Sequence, residues 1–198
     1  MDMRQKLKDY LGEKRYNHSV GVEETAAALA KMLGADENKA RTAGLMHDVT
    51  KEFEPEIQKT MLKDGGIVLN EAEKSSHKLL HAMTAPMVLE KDFEISDGEI
   101  LSAVRYHTTG RKDMSVLEKI IYMADFIEPN RDFEGVDELR SLAFRDFDAA
   151  LILALEMTIE EVKEKGAILH PDTAEALKFL VGEGKKDGKE VQTGRRKV

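Results

Sequence analysis

Apolar residues recur three and four positions apart along most of the chain, the period of a helix with one buried face. Residues 4–11 (RQKLKDYL) predict a short first helix. Residues 18–33 predict a long second one, with Val22, Ala26, Leu29 and Leu33 in register and Gly34 as its stop. Asp36 is placed to cap a third over residues 37–48, and Pro55 suits the first turn of a fourth that ends at Gly65-Gly66. Residues 75–91 (SSHKLLHAMTAPMVLEK) predict one helix, bent near Pro86. Ser96 with Glu99, and Ser115 with Glu118, have capping-box spacing ahead of helices over 100–107 and 116–127, and Pro129 follows the second. Residues 137–144 and 147–165 predict two more helices, the latter stopped by Gly166, and 172–181 the last. Period-two alternation never runs long enough for a strand. The pattern predicts one all-α domain over residues 1–182, with a polar, Gly-rich tail over 183–198 expected to be disordered.

The chain has 198 residues, enough for one well-buried core and short for two. With no cysteine it has neither a disulfide framework nor a thiolate metal site. No apolar run approaches the roughly 20 residues that cross a bilayer, and the first residues lack a signal-peptide core. These features predict a cytoplasmic protein with no membrane partner. The formal net charge of -8 argues against a nucleic-acid partner, which needs a basic surface. It leaves room for a small anionic substrate beside a bound cation.

The candidate chemistry sits where the apolar pattern is broken. AGLMHDVTKEF places His47 and Asp48 side by side at a helix end, with Lys51 one turn on. A buried His-Asp pair is costly unless something pairs with both groups. Asp125, flanked by Ile, Tyr, Met, Ala and Phe, needs a partner for the same reason. His18 opens the predicted second helix. Imidazole and carboxylate donors suit Fe, Mn, Zn, Co or Ni, and such an ion brings the pKa of bound water toward roughly 7. Lys51 fits either a phosphate contact or a solvated lysine. Thr108, Thr109, Gly110 and Arg111 fit either a phosphate-binding turn, with Arg111 as a bidentate donor, or an ordinary polar turn. Arg131 is a phosphate contact or a surface partner of Asp132 or Glu128. His77 and His81 stand at i, i+4, a spacing that on its own reads as a metal pair.

YNHSVGV, AGLMHDVTKEF, KLLHAMTAP, VRYHTTGR and LEKIIYMADFIEPNRDFEGVDELR resemble the successive motifs of the HD-domain phosphohydrolase superfamily. More narrowly they resemble its YqeK-type symmetrical diadenosine tetraphosphate hydrolases. The resemblance runs through GAILHPDTAEAL and so covers most of the chain. It implies an HD-type helical fold in which His18, His47, Asp48 and Asp125 bind a first metal, iron in the cell, with Mn, Co or Zn as substitutes. His81 and His107 match the two histidines that line the phosphate side and hold a second ion. The implied substrate is a dinucleoside polyphosphate cut symmetrically to two ADP, and the implied assembly is a homodimer. The motif matches His81 and not His77, which is then exposed or supporting. Ala82 stands where glycine is usual. His170 matches an HP element and reads as a structural lock near the C-terminus. Two rivals remain: an HD nucleotidase or triphosphate phosphohydrolase with the same ligands, and a non-catalytic nucleotide-binding module.

Overall fold

The structure, a computed structural model, describes residues 2–186. Eleven α-helices and one 3-10 turn make up its regular structure, and no strand occurs among the described residues. They are α1 (Met3–Leu7), α2 (Glu13–Leu33), α3 (Glu37–Met46), α4 (Pro55–Asp64), α5 (Glu71–Ser75), α6 (Leu80–Asp92), α7 (Gly98–Tyr106), α8 (Val116–Ile127), α9 (Val136–Arg145), α10 (Phe147–Glu164) and α11 (Pro171–Lys186). The all-α architecture expected from the periodicity is the one observed.

The most apolar helix, α8, lies at the centre. Ile120, Ile121, Tyr122, Met123 and Ala124 are all buried, so α8 is enclosed on most sides. It contacts α2, α3, α7, α9 and α10, and α11 closes on α10. A small second cluster of Leu62, Leu80 and Met83 joins α4 to α6.

The tightest pairing is α2 on α3, and Gly44 permits it. A Cβ there would stand 2.9 Å from Glu23 Cα and 3.0 Å from Val22 O, which are backbone atoms of the facing helix. Glycine lets the two backbones touch, and the touching surfaces carry His18 and His47.

Local signals set most boundaries. Asp36 accepts hydrogen bonds from the backbone N–H groups of Asn38 and Lys39, and Ser115 forms the expected capping box with Glu118. Gly34 ends α2 at φ 69°. Other expectations need correction. The first helix stops at Leu7 and continues to Leu11 as hydrogen-bonded turns. Helix α2 starts at Glu13, so His18 lies inside it instead of opening it. Asp97, not Ser96, caps α7, and Glu99 is drawn to Lys39 of α3. The helix expected over 75–91 is broken: α5 ends at Ser75, His77–Leu79 form the 3-10 turn, and α6 begins at Leu80. His77 is exposed and does not share a helical face with His81. The last helix extends to Lys186, and the remainder of the expected tail, 187–198, lies outside the described residues.

Gly44→Ala is expected to destabilise the fold by about 1–3 kcal/mol, the usual cost of overpacking a close contact. Thermal denaturation would read this as a lowered Tm. An unchanged Tm would mean that α2 and α3 separate without cost.

Candidate metal centre

Six side chains from five segments converge at the middle of the bundle. His18 comes from α2, His47 and Asp48 from the end of α3, His81 from α6, His107 from the end of α7, and Asp125 from α8. The four histidines and Asp48 are buried, and Asp125 is partly so.

Asp48 stands between two groups of donors. Its Oδ2 lies 3.7 Å from His18 Nε2 and 3.4 Å from His47 Nε2. Asp125 Oδ1 faces the same two nitrogens at 3.0 and 3.7 Å, and they are 3.3 Å from each other. Asp48 Oδ1 lies 3.0 Å from His81 Nε2 and 3.5 Å from His107 Nε2, which are themselves 3.0 Å apart.

The outer ring nitrogens explain why the inner ones point inward. His47 Nδ1 donates to Gly44 O and His107 Nδ1 to Val104 O, each at 2.7 Å. Both bonds run to a carbonyl three residues back, a consequence of placing each histidine at the frayed last turn of its helix. His18 Nδ1 donates instead to the buried Glu128 carboxylate at 3.0 Å. A donor bond at Nδ1 fixes the ring and aims Nε2 at the centre, the usual support for a metal-binding imidazole. Glu128 reaches His18 because residue 21 is glycine: a Cβ there would stand 2.4 Å from Glu128 Oε2.

These residues fit a divalent cation. Neighbouring donors held about 2.1 Å from one ion are about 3.0–3.4 Å apart, close to the spacing found. Asp48 Oδ1 is buried and accepts no hydrogen bond, although His81 Nε2 is near. The sets His18–His47–Asp125 and His47–Asp48–His107 each bring three donor atoms within 4.8 Å of one another.

Charge is distributed unevenly over the cluster. Burial opposes a proton on His47, but the carboxylates of Asp48 and Asp125 outweigh it and hold its pKa at about 10. Burial pushes His81 down to about 4, with Lys51 and His107 adding to the effect against Asp48. His107 is lowered by burial as well. Burial alone would raise both aspartates, yet the charge on His47, with His107 and His81 close by, holds Asp48 well below the carboxylate range. The approach of His18 and the charges on His47 and Arg131 do the same for Asp125.

Three half-buried cations surround the donors. Lys51 Nζ lies 3.2 Å from His81 Nε2 and 3.7 Å from Asp48 Oδ1. Arg131 pairs with the Asp125 carboxylate and donates from Nε to its backbone carbonyl at 2.7 Å, so its partner is neither Asp132 nor Glu128. Arg15 donates to Asp48 Oδ2 at 2.9 Å. Sequence reasoning missed Arg15 because it placed the start of α2 at His18. With α2 begun at Glu13, Arg15 precedes His18 by three residues on one helical face, which is the signal that could have found it. Glu128 was missed as the partner of His18 for a different reason: the two are 110 residues apart and no local signal joins them.

The turn after His107 is divided. Thr108 Oγ1 is buried without a partner. Thr109 donates to Gly110 O, and Gly110 takes φ 61° to turn the chain. Arg111 turns to buried Glu118, with Nε–Oε1 at 2.9 Å, and stacks over Tyr106. The structure does not bring Thr109 or Arg111 to the donor cluster, because both polar ends are taken by the turn itself and by the start of α8. His170 is buried and binds Asn70 and Glu73 of the α5 capping box, at 3.0 and 3.3 Å, joining the segment before α11 to the one before α6.

A helical bundle with a buried cluster of histidines and an adjacent His-Asp pair defines a class. Residues 15–130 match the HD domain, and the chain belongs to that family. All six donors lie within the match. At closer range the chain is similar to the symmetrical bis(5'-nucleosyl)-tetraphosphatase of Halalkalibacterium halodurans. The two are 39% identical over 181 residues, which is 91% of this chain and 96% of that protein. The enzyme of the same name from Bacillus subtilis is 39% identical over 175 residues, 88% of this chain and 94% of the relative. The crystal structure of a predicted HD superfamily hydrolase involved in NAD metabolism, from Clostridium acetobutylicum, superposes with a TM-score of 0.88. It is 43% identical and covers 91% of this chain and 95% of its own.

Metal binding is expected to release protons. The His47 proton, held with a pKa of about 10, must leave before Nε2 can coordinate. Affinity for a divalent metal should therefore rise by about tenfold for each pH unit between 7 and 9. Calorimetry in buffers of different ionisation enthalpy should count close to one proton released at pH 7. A count near zero would remove His47 from the ligand set or its proton from the ring.

Proposed function

We propose that the protein hydrolyses dinucleoside tetraphosphates symmetrically, converting diadenosine tetraphosphate and water to two ADP. The observation that carries the reading is the Asp48 carboxylate, buried and shared between two groups of imidazoles with Lys51 and Arg15 on its flanks. The similarity to symmetrical tetraphosphatases over 88–91% of the chain supports the choice of substrate.

His18, His47, Asp48 and Asp125 would hold a first divalent metal, and His81 and His107 with Asp48 the phosphate side. A metal bound there supplies acidified water and screens phosphate charge. The protein's own groups do the rest. Lys51 and Arg131 bind phosphate oxygens and steady the charge that builds on the transferring group. Arg15 neutralises Asp48 from the outside and offers its remaining N–H groups to the phosphate chain. His81, kept neutral by burial, can accept a proton at Nε2 or share a ligand position. Thr108 supplies a hydroxyl at the edge of the turn. Thr109, Gly110 and Arg111 set the course of that turn and thereby the reach of His107.

The motif resemblance supports iron as the metal, with manganese, cobalt and zinc fitting the same donors. It also supports a homodimer working in the cytoplasm. No helix among the described residues is long and apolar enough to cross a membrane.

The test is product analysis with diadenosine tetraphosphate plus Fe(II), Mn(II) or Co(II), against a chelator control. ADP as sole product, lost with chelator and reduced at least 10²-fold in Asp48→Ala and Asp125→Ala, is expected. ATP with AMP would refute the symmetrical cut. Lys51→Met is expected to lower kcat/KM by about 10-fold or more while leaving metal affinity near that of the parent, because Lys51 is not a donor. Unchanged kcat/KM would place Lys51 outside phosphate binding.

A further inference from the structure

The chain leaving α8 carries three supports of the metal centre within four residues. Glu128 accepts from His18 Nδ1. Asn130 donates to Glu128 Oε2 from both its backbone N and its side chain, at 2.8 and 2.9 Å. Arg131 holds the carboxylate and the carbonyl of Asp125. Pro129 prevents the helix from continuing, and Glu128 accordingly adopts φ -55°, ψ 155°. The break leaves carbonyl groups at the end of α8 without helical N–H partners, although the Arg131 backbone N–H reaches Glu128 O at 3.0 Å.

One side chain from another helix takes them up. Arg140 of α9 donates from Nε to Ile127 O at 2.9 Å. Its Nη2 donates to Glu128 O at 2.9 Å and to Arg131 O at 2.6 Å. Its Nη1 meets Asp137 at 2.7 Å. A single half-buried guanidinium thus spans the turn from residue 127 to residue 131.

We propose that Arg140 is a positioning residue for the metal centre. It clamps the 127–131 turn so that Glu128 and Arg131 hold His18 and Asp125 in the geometry that captures the metal. Arg140 touches none of the six donors itself. The role requires arginine, because three carbonyls at different angles are met by a planar fork of N–H groups and not by a point charge. The inference rests on the metal centre assigned above, but not on which substrate is cut there.

Arg140→Lys, Arg140→Ala and Asp137→Asn separate the clamp from its alternatives. Affinity for Co(II) or Mn(II) is measured by competition with a chelating dye, alongside thermal denaturation and kcat and KM for diadenosine tetraphosphate. Both Arg140 variants are expected to bind metal about 10-fold or more weakly, the usual effect of losing an outer support. Their kcat at fixed low metal should fall, excess metal should restore part of it, and KM should move little. Asp137→Asn, which leaves the three carbonyl bonds in place, should match the parent.

Parent metal affinity in folded Arg140→Lys would show that charge alone suffices and would overturn the clamp. So would a lowered Tm with unchanged metal affinity, which makes Arg140 an ordinary helix cap. Should Arg140→Ala fail to fold, the lysine variant decides. Metal binding by the parent without turnover would count against the proposed reaction and leave this comparison readable.

Discussion

A carboxylate nearly sealed from water is the constraint around which the molecule is arranged. Asp48 is 1% exposed. Burying such a charge without partners would cost far more than a domain's net stability. It is tolerated because imidazoles approach both oxygens and Arg15 and Lys51 approach from the rim. Most of the partners come from distant segments, Arg15 and His18 from α2, His81 from α6 and His107 from the end of α7, so the pairing makes demands on the whole fold. Helix α2 must touch α3 closely enough for His18 to share Oδ2, and Gly44 removes the side chain that would keep them apart. Helix α8 must pass through the core and still turn the Asp125 carboxylate toward the same histidines.

Rigidity comes from the layer outside the donors. His47 and His107 each sit at the last turn of a helix, where backbone carbonyls still need hydrogens, and each ring satisfies one. His18, in mid-helix, has no such carbonyl and draws on Glu128 across the bundle, which is possible only because Gly21 leaves room. Termini and glycines thus do for the site what packing does for the core. Arg140 extends the same logic one step outward, satisfying the carbonyls stranded where Pro129 ends α8.

Much of this was legible beforehand. Helical periodicity and caps indicated an all-α chain, and the polar residues breaking apolar stretches singled out His47, Asp48 and Asp125. His18 stood beside them at the predicted start of the second helix, the motif resemblance added His81 and His107, and the structure gathers all six. Local signals failed where two candidates competed. Ser96 was expected to cap α7, and its neighbour Asp97 does so instead. His77 and His81 kept perfect helical spacing, yet the chain breaks at Ser76 and enters a 3-10 turn. Arg131 was left between a phosphate contact and a pair with Asp132 or Glu128, and its carboxylate partner is Asp125, six residues back.

By itself the sequence determined most of the helices, which faces are apolar and which residues can bind a metal, because these depend on neighbours within one or two turns. The tertiary structure alone decided that Asp48 is shared between two groups of imidazoles and that Arg15 belongs to the site. It alone decided that Glu128 supports His18 and that Arg111 is spent on Glu118. Those outcomes depend on the distance between backbones and on competition among partners far apart in the chain, and neither has a local signature.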